Sequence, residues 1–86
     1  MSRLIPASER IIRARALIQK ARDLPVPAGA GRSDFSYIAQ VKDLLQQARD
    51  LVKFIPYTPT ATPEMKNEVS KIFQEADQAN QEILHR

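Results

Sequence analysis

The chain has 86 residues and carries 13 Lys and Arg against 10 Asp and Glu, which gives a net charge of +3. It contains no Cys, no Trp and one His, which excludes disulfide frameworks, Cys-based zinc sites and Cys nucleophiles. No apolar run is long enough to span a bilayer, and the first residues lack the apolar stretch of a secretory signal. We therefore expect a single helical domain over residues 1–86, located inside the cell in the cytoplasm or nucleus.

The first predicted helix covers residues 7–24. Apolar side chains recur there at three- and four-residue steps, which places one per turn on a single helix face. These positions are Leu4, Ala7, Ile11, Ala14, Ile18 and Ala21. Pro6 suits the first helical turn, where a missing N–H costs nothing. The Pro-rich connector 25–33, which holds both glycines of the chain, predicts the end of this helix.

The second predicted helix covers residues 34–55 and shows the same spacing. Its apolar positions are Ile38, Val41, Leu45, Ala48, Val52 and Ile55. Ser33 or Asp34 can cap its start by accepting a hydrogen bond from a free backbone N–H. A second Pro-rich connector, residues 56–62, follows it.

The third predicted helix covers residues 63–85. Its apolar positions are Met65, Val69, Ile72, Ala76, Ala79 and Ile83. Thr62 followed by Pro63 is a strong start signal, because a hydroxyl cap precedes a proline at the first helical position. No segment alternates with the period of two that strands require. The sequence therefore predicts an all-α fold, an up-down-up three-helix bundle.

Charges beside the apolar positions predict how the helices are oriented. With the isoleucines of the first helix at heptad position a, Arg15 and Arg22 fall at position e, whereas Glu68, Glu75 and Glu82 fall at position g of the third helix. In a parallel pair of helices, position g of one faces position e of the other. We therefore expect the first and third helices to run parallel and to form ion pairs such as Glu75 with Arg15 or Arg22. Because five of the six alanines at apolar positions lie on these two helices, we also expect their axes to be the nearest.

An eight-residue segment occurs twice. Leu17–Leu24 matches Leu44–Leu51 at an offset of 27 residues, with six of eight positions identical. Leu, Gln, Ala and Arg all favour helices, so we interpret the match as shared helical constraint rather than as a repeat architecture.

Groups that carry out catalysis are scarce in this sequence. The one histidine, His85, is the penultimate residue, and Gly29-Ala30-Gly31 has neither the preceding strand nor the following Lys that phosphate-binding loops need. The acidic residues do not cluster as metal ligands do. We therefore expect no enzyme activity, no cofactor and no metal.

Apolar residues beyond the core positions indicate a binding surface instead. The candidate partner-binding residues are Leu17, Leu24, Tyr37, Leu44, Leu51, Phe54 and Phe73. If they line a groove between helices, the groove suits an amphipathic helix or peptide of another protein. The hypothesis is a non-enzymatic protein-interaction domain or adaptor, and the alternative use of the same surface is dimerisation of the chain.

The second alternative is a small basic nucleic-acid-binding domain that uses the first helix. Residues 1–33 have a net charge of +5, and basic side chains on one helix can contact phosphates. The candidate residues for this role are Arg3, Arg10, Arg13 and Lys20.

The first helix also resembles a known family. The segment Ala16–Leu24 is similar to the first helix of MIT domains, three-helix modules that bind helical tails of membrane-remodelling proteins, and residues 34–85 have the helix and connector lengths of that family. The Ala-x-x-x-Tyr pattern of its second helix is missing here, because Asp43 stands four residues after Ala39. KIX-type coactivator domains share only the three-helix layout. The resemblance implies an adaptor that binds helical peptides.

Overall fold

The computed structural model describes residues 6–26 and 34–84. Within these described residues the chain forms three α-helices and no β-strand, and all three helices pack against one another. They are α1 (Ala7–Asp23), α2 (Phe35–Val52) and α3 (Pro63–Leu84), with a 3₁₀ turn over Ile55–Tyr57. The predicted all-α three-helix bundle is confirmed. Several predicted features lie outside the described residues: Arg3, Leu4, Ser33, His85 and the 27–33 part of the first connector.

Side-chain caps fix the starts of two helices. Asp34 Oδ1 accepts a hydrogen bond from the backbone N–H of Tyr37 at 2.9 Å, and Thr62 Oγ1 accepts one from Met65 at 3.2 Å. Both satisfy a donor that the first turn of a helix leaves without a partner. Pro6 was expected in the first turn of the first helix but is the residue just before α1. It makes no side-chain hydrogen bond to the start of that helix.

The end of α2 differs from the prediction. The helix ends at Val52 instead of residue 55, and Ile55–Tyr57 forms the 3₁₀ turn. Pro56 explains this, because it lacks the N–H that would donate a hydrogen bond to the carbonyl of Val52 if the α-helix continued. Ile55 is nevertheless only 3% exposed, so its predicted place in the core is confirmed although it lies beyond the helix.

The core runs continuously between the three helices. Its buried residues are Ile11, Ala14, Ile18, Ala21, Tyr37, Val41, Leu45, Ala48, Val52, Ile55, Val69, Ile72, Ala76 and Ala79. All of them except Tyr37 lie at predicted apolar positions. Tyr37 is only 5% exposed, since the first turn of α2 directs its ring inward. We therefore remove it from the candidate partner-binding residues.

Ion pairs show that α1 and α3 run in the same direction. Arg15 contacts Glu68 at 2.5 Å and Glu75 at 3.4 Å, and Arg22 contacts Glu82. The partners advance along both helices together, as only a parallel pair allows. The predicted orientation and the predicted Arg15–Glu75 pair are therefore confirmed.

The expectation that α1 lies nearest to α3 is not supported. The most extensive contact of α1 is with α2. Ala14 and Ala21 of α1 and Ala48 of α2 are completely buried, and both helices add leucines beside these alanines. Small residues permit close approach, but the larger neighbouring side chains decide how much surface two helices share.

Candidate partner-binding surface

Two adjoining hollows lie between α1 and α2, with volumes of about 370 and 350 Å³. Leu17 of α1 and Leu51 of α2 line both hollows. The other lining residues are Arg10, Arg13, Ala16 and Lys20 from α1, and Gln47 and Asp50 from α2. Because the described residues that line both hollows all belong to α1 and α2, the hollows form one groove along the junction of these helices.

Two further leucines extend the groove by one heptad. Since α1 and α2 are antiparallel and Leu17 lies opposite Leu51, the same register places Leu24, the residue just after α1, level with Leu44, each seven residues further from the first pair. All four are partly buried and pack against the core. The two pairs are separated by roughly 10 Å along the helices. We call the surface formed by Leu17, Leu24, Leu44 and Leu51 the leucine groove.

The position of α3 explains why this groove stays open. Arg15 and Arg22 of α1 contact acids of α3, and Leu17 and Leu24 each follow one of these arginines by two residues. Two residues correspond to a rotation of roughly 200° around a helix. The leucines therefore lie on the flank of α1 that faces away from α3.

The two edges of the groove differ in charge. The α1 edge carries Arg10, Arg13 and Lys20, which we call the basic edge. Arg13 also forms an exposed ion pair with Glu9 at 3.3 Å. The α2 edge carries the neutral amide of Gln47. A ligand with negative charge on one side therefore meets attraction mainly along α1.

Asp50 is the carboxylate that lines the groove near Arg10. A hydrogen bond from Gln46 at 2.9 Å and the ammonium of Lys53 at 3.2 Å hold the pKa of Asp50 below its usual value. The carboxylate of Asp50 is thus already in contact with Gln46 of α2 and with Lys53, the residue that ends this helix. It therefore reduces the positive charge of the groove only near Arg10.

An exposed aromatic residue marks one end of the groove. Phe54 is 61% exposed, and Lys53 Nζ lies 5.0 Å from the centre of its ring. Together with Arg10, Phe54 lines a further hollow at the start of α1, beside Thr58 and Thr60. From Arg10 to Leu24 the groove is roughly 21 Å long, or about four helical turns.

Phe73 lies apart from this surface. It belongs to α3 and packs, half-buried, against the core, so it does not join the leucine groove. Ile12, Phe35 and Tyr57 are exposed but stand outside the residues that line the groove. Scattered exposed apolar residues of this kind are normal on small proteins.

Sequence reasoning missed that the two sets of candidates share one surface. The leucines and the basic residues Arg10, Arg13 and Lys20 were assigned to alternative functions. The structure places them side by side along α1. The signal that indicates this was available, because Arg15 and Arg22 face α3 and the heptad places the leucines and these cations on the opposite flank.

Other kinds of site find little support in the described part of the chain. Residues 6–26 and 34–84 contain no group of three or more His, Asp or Glu side chains arranged to hold a metal ion. None of the helices in those ranges combines the length and hydrophobicity needed to cross a membrane.

No family model, curated protein or solved structure matches this chain. The resemblance to MIT domains therefore stays one of layout.

Proposed function

We propose that this chain is a non-enzymatic interaction module that binds an amphipathic helix of another protein in the leucine groove. The observation that carries the proposal is the placement of four half-buried leucines in two opposed pairs, on the flank of α1 and α2 that faces away from α3. The proposed setting is the cell interior.

The spacing of the leucines suits a helical ligand. A helix that lies along the groove presents apolar side chains at positions i, i+3, i+4 and i+7. Its first and last anchors are separated by roughly 10 Å, the distance between the two leucine pairs. The bound helix completes a four-helix arrangement in which each neighbour covers apolar surface left partly exposed by the other.

The experiment is a titration followed through amide chemical shifts. The full isotope-labelled chain is mixed with a synthetic helical peptide of about 18 residues, about 27 Å long, that carries Leu at heptad positions a and d and Glu or Gln beside them. We expect shift changes at Leu17, Leu44 and Leu51, and none at Ile12 on another face of α1.

Two variants make this test specific. Leu51→Asp places a carboxylate in the groove and weakens peptide binding by at least about tenfold. Ile12→Asp introduces the same charge at a side chain that is 62% exposed outside the groove, and it leaves binding unchanged. Circular dichroism confirms that each variant is folded, and Leu44→Gln replaces Leu51→Asp if the latter unfolds. Undiminished binding by a folded groove variant contradicts the proposal.

Nucleic-acid binding is the second candidate, because Arg10, Arg13 and Lys20 fall on one flank of α1. Phosphate contacts predict an affinity that falls steeply between about 50 and 200 mM salt. We expect Lys20→Glu to weaken binding of the nucleic acid and to make its affinity less sensitive to salt, because one phosphate contact is lost. Substitution of Leu51 is expected to leave this affinity unchanged. Titration with a duplex or single-stranded oligonucleotide at low salt, followed by amide shifts, decides the point: unchanged spectra remove this candidate.

A further inference from the structure

The floor of the leucine groove is nearly symmetric. The repeated segments place Leu17 and Leu44 at equivalent positions of two antiparallel helices, and likewise Leu24, the residue that ends α1, and Leu51 of α2. A rotation of 180° about an axis perpendicular to the α1/α2 layer therefore exchanges the two helices and maps the leucines onto one another.

The surroundings of the leucines repeat as well. Gln19 donates a hydrogen bond to Asp23 at 2.9 Å, and Gln46 donates the equivalent bond to Asp50 at the same distance. The core residues beneath also correspond: Ile18 with Leu45, and Ala21 with Ala48. Apart from Ala16, whose equivalent in α2 is Asp43, an apolar helix that lies in the groove consequently meets the same residues whichever way it runs.

The edges break this symmetry. The positions of α2 equivalent to Arg13 and Lys20 are Gln40 and Gln47, so two cations are exchanged for two amides. The position equivalent to Arg10 is occupied by Tyr37, which is buried. Along these positions, positive charge lies on the α1 edge only.

We infer that the partner is an acidic amphipathic helix whose direction in the groove is set by which flank of its apolar face carries the acidic residues. This inference rests on the proposed function. Turning such a helix end for end keeps its apolar face on the leucines but moves its acidic flank from one edge to the other. Only one direction places the acids beside Arg13 and Lys20.

The heptad rule specifies that direction. The groove lies on the flank of α1 that holds position g, and g faces e in a parallel pair but g in an antiparallel pair. A ligand with Glu at e and Gln at g therefore runs parallel to α1. A ligand of the same composition with Glu at g and Gln at e runs antiparallel to it.

The test uses these two peptides, each with Leu at a and d and a nitroxide label on a cysteine at its N-terminus. The chain itself contains no cysteine, so the label is confined to the peptide. We expect the peptide with Glu at e to broaden the amide signal of Phe54, which follows α2 and lies beside the start of α1. The peptide with Glu at g is expected to broaden that of Leu44 instead. For each peptide, we expect the population bound in the preferred direction to exceed the population bound in the opposite direction by about tenfold, because two exposed ion pairs are gained.

The control is the double variant Arg13→Gln and Lys20→Gln, which gives α1 the amides found at the equivalent positions of α2. Both substitutions are on exposed side chains, so the fold is retained. We expect each peptide to broaden Phe54 and Leu44 about equally in this variant. Retention of a single direction there overturns the inference.

The outcomes separate this inference from the proposed function. If both peptides bind and run the same way, the direction rule is wrong while helix binding stands. If neither peptide shifts the leucine amides, the proposed function fails first. If those amides shift on dilution of the free chain, the groove is filled by a second copy and the inference is overturned.

Discussion

Arg22 and Arg49 occupy equivalent positions of the repeated segment, and each binds a carboxylate of α3. Arg22 contacts Glu82, and Arg49 contacts Asp77 at 2.7 Å. The third helix is thus held from both neighbours, on the side opposite the leucine groove. One face of the α1/α2 layer is closed by α3, and this asymmetry creates the surface on which the functional proposal depends.

The core predicts a large effect of removing Leu45, which is 1% exposed. We expect Leu45→Ala to lower the free energy of unfolding by about 2–5 kcal/mol, because the lost apolar burial adds to the cost of a cavity. Leu44→Ala, beside it but half-buried, is the control and costs less. Urea denaturation measures both. Equal losses for the two variants contradict the described division between core and groove.

The cap of α2 predicts a smaller effect. We expect Asp34→Ala to lower the free energy of unfolding by about 1 kcal/mol, since the N–H of Tyr37 loses its acceptor. Asp34→Asn keeps an oxygen acceptor and retains most of the stability. Thermal unfolding followed by circular dichroism checks the pair, and an Asn variant as unstable as the Ala variant rules out the cap as the cause.

The ion pair of Glu68 predicts a dependence on pH. The hydrogen bond from Arg15 holds the pKa of Glu68 below its usual value. The ionised carboxylate therefore adds stability at pH values above its unfolded pKa of about 4.3, and this stability disappears as the pH falls through the lower folded pKa. We expect wild type to be more stable than Glu68→Gln at neutral pH, with the difference vanishing in acid.

A double-mutant cycle assigns that pH effect to the pair. Burial opposes the charge of Arg15, but the hydrogen bond and charge of Glu68, together with Glu75, raise the pKa of Arg15 overall. We expect the coupling between Arg15→Gln and Glu68→Gln in urea unfolding to be present at neutral pH and smaller at about pH 3, because the carboxylate is progressively protonated below its usual pKa. Equal coupling at both pH values contradicts an electrostatic origin.

The basic edge predicts that charge position matters more than net charge. We expect Lys20→Glu to weaken binding of the peptide with Glu at e by about tenfold, because an attractive exposed contact becomes repulsive. Lys42→Glu makes the same change in net charge on the flank of α2 that faces away from the groove, and leaves affinity nearly unchanged. Titrations of both variants at one salt concentration provide the comparison. Similar losses would show that only overall charge is sensed.

Much of the fold followed from local patterns. The spacing of apolar residues located nearly the whole core, and Asp34 and Thr62 marked where two helices begin. The pairing of Arg15 with Glu75 was available from the heptad positions, because charges beside an apolar face depend on helix direction. Local patterns of this kind depend on the spacing of residue types along the chain, which can be read from the sequence without knowledge of tertiary contacts.

The remainder depended on tertiary contacts. Tyr37 sits beside the predicted apolar positions, and only packing of the helices decides that its ring is buried. The end of α2 depended on two effects, the missing N–H of Pro56 and the burial of Ile55 in the core, and their balance is set by tertiary packing. The candidate surface could not be identified without the position of α3, because α3 determines whether Leu17 and Leu51 are covered.

Ile55 also divides the segment between α2 and α3 into two parts with different tolerance to change. Because its side chain is held in the core three residues after α2 ends, the backbone before it has a fixed length to cover. After Thr58 the chain is exposed at residues 59 and 60, and the next contact with the core is made by Ala61, which is only partly buried. New chain ends, or a grafted loop, are accommodated after Thr58, whereas a single residue inserted between Val52 and Ile55 displaces an anchor of the core.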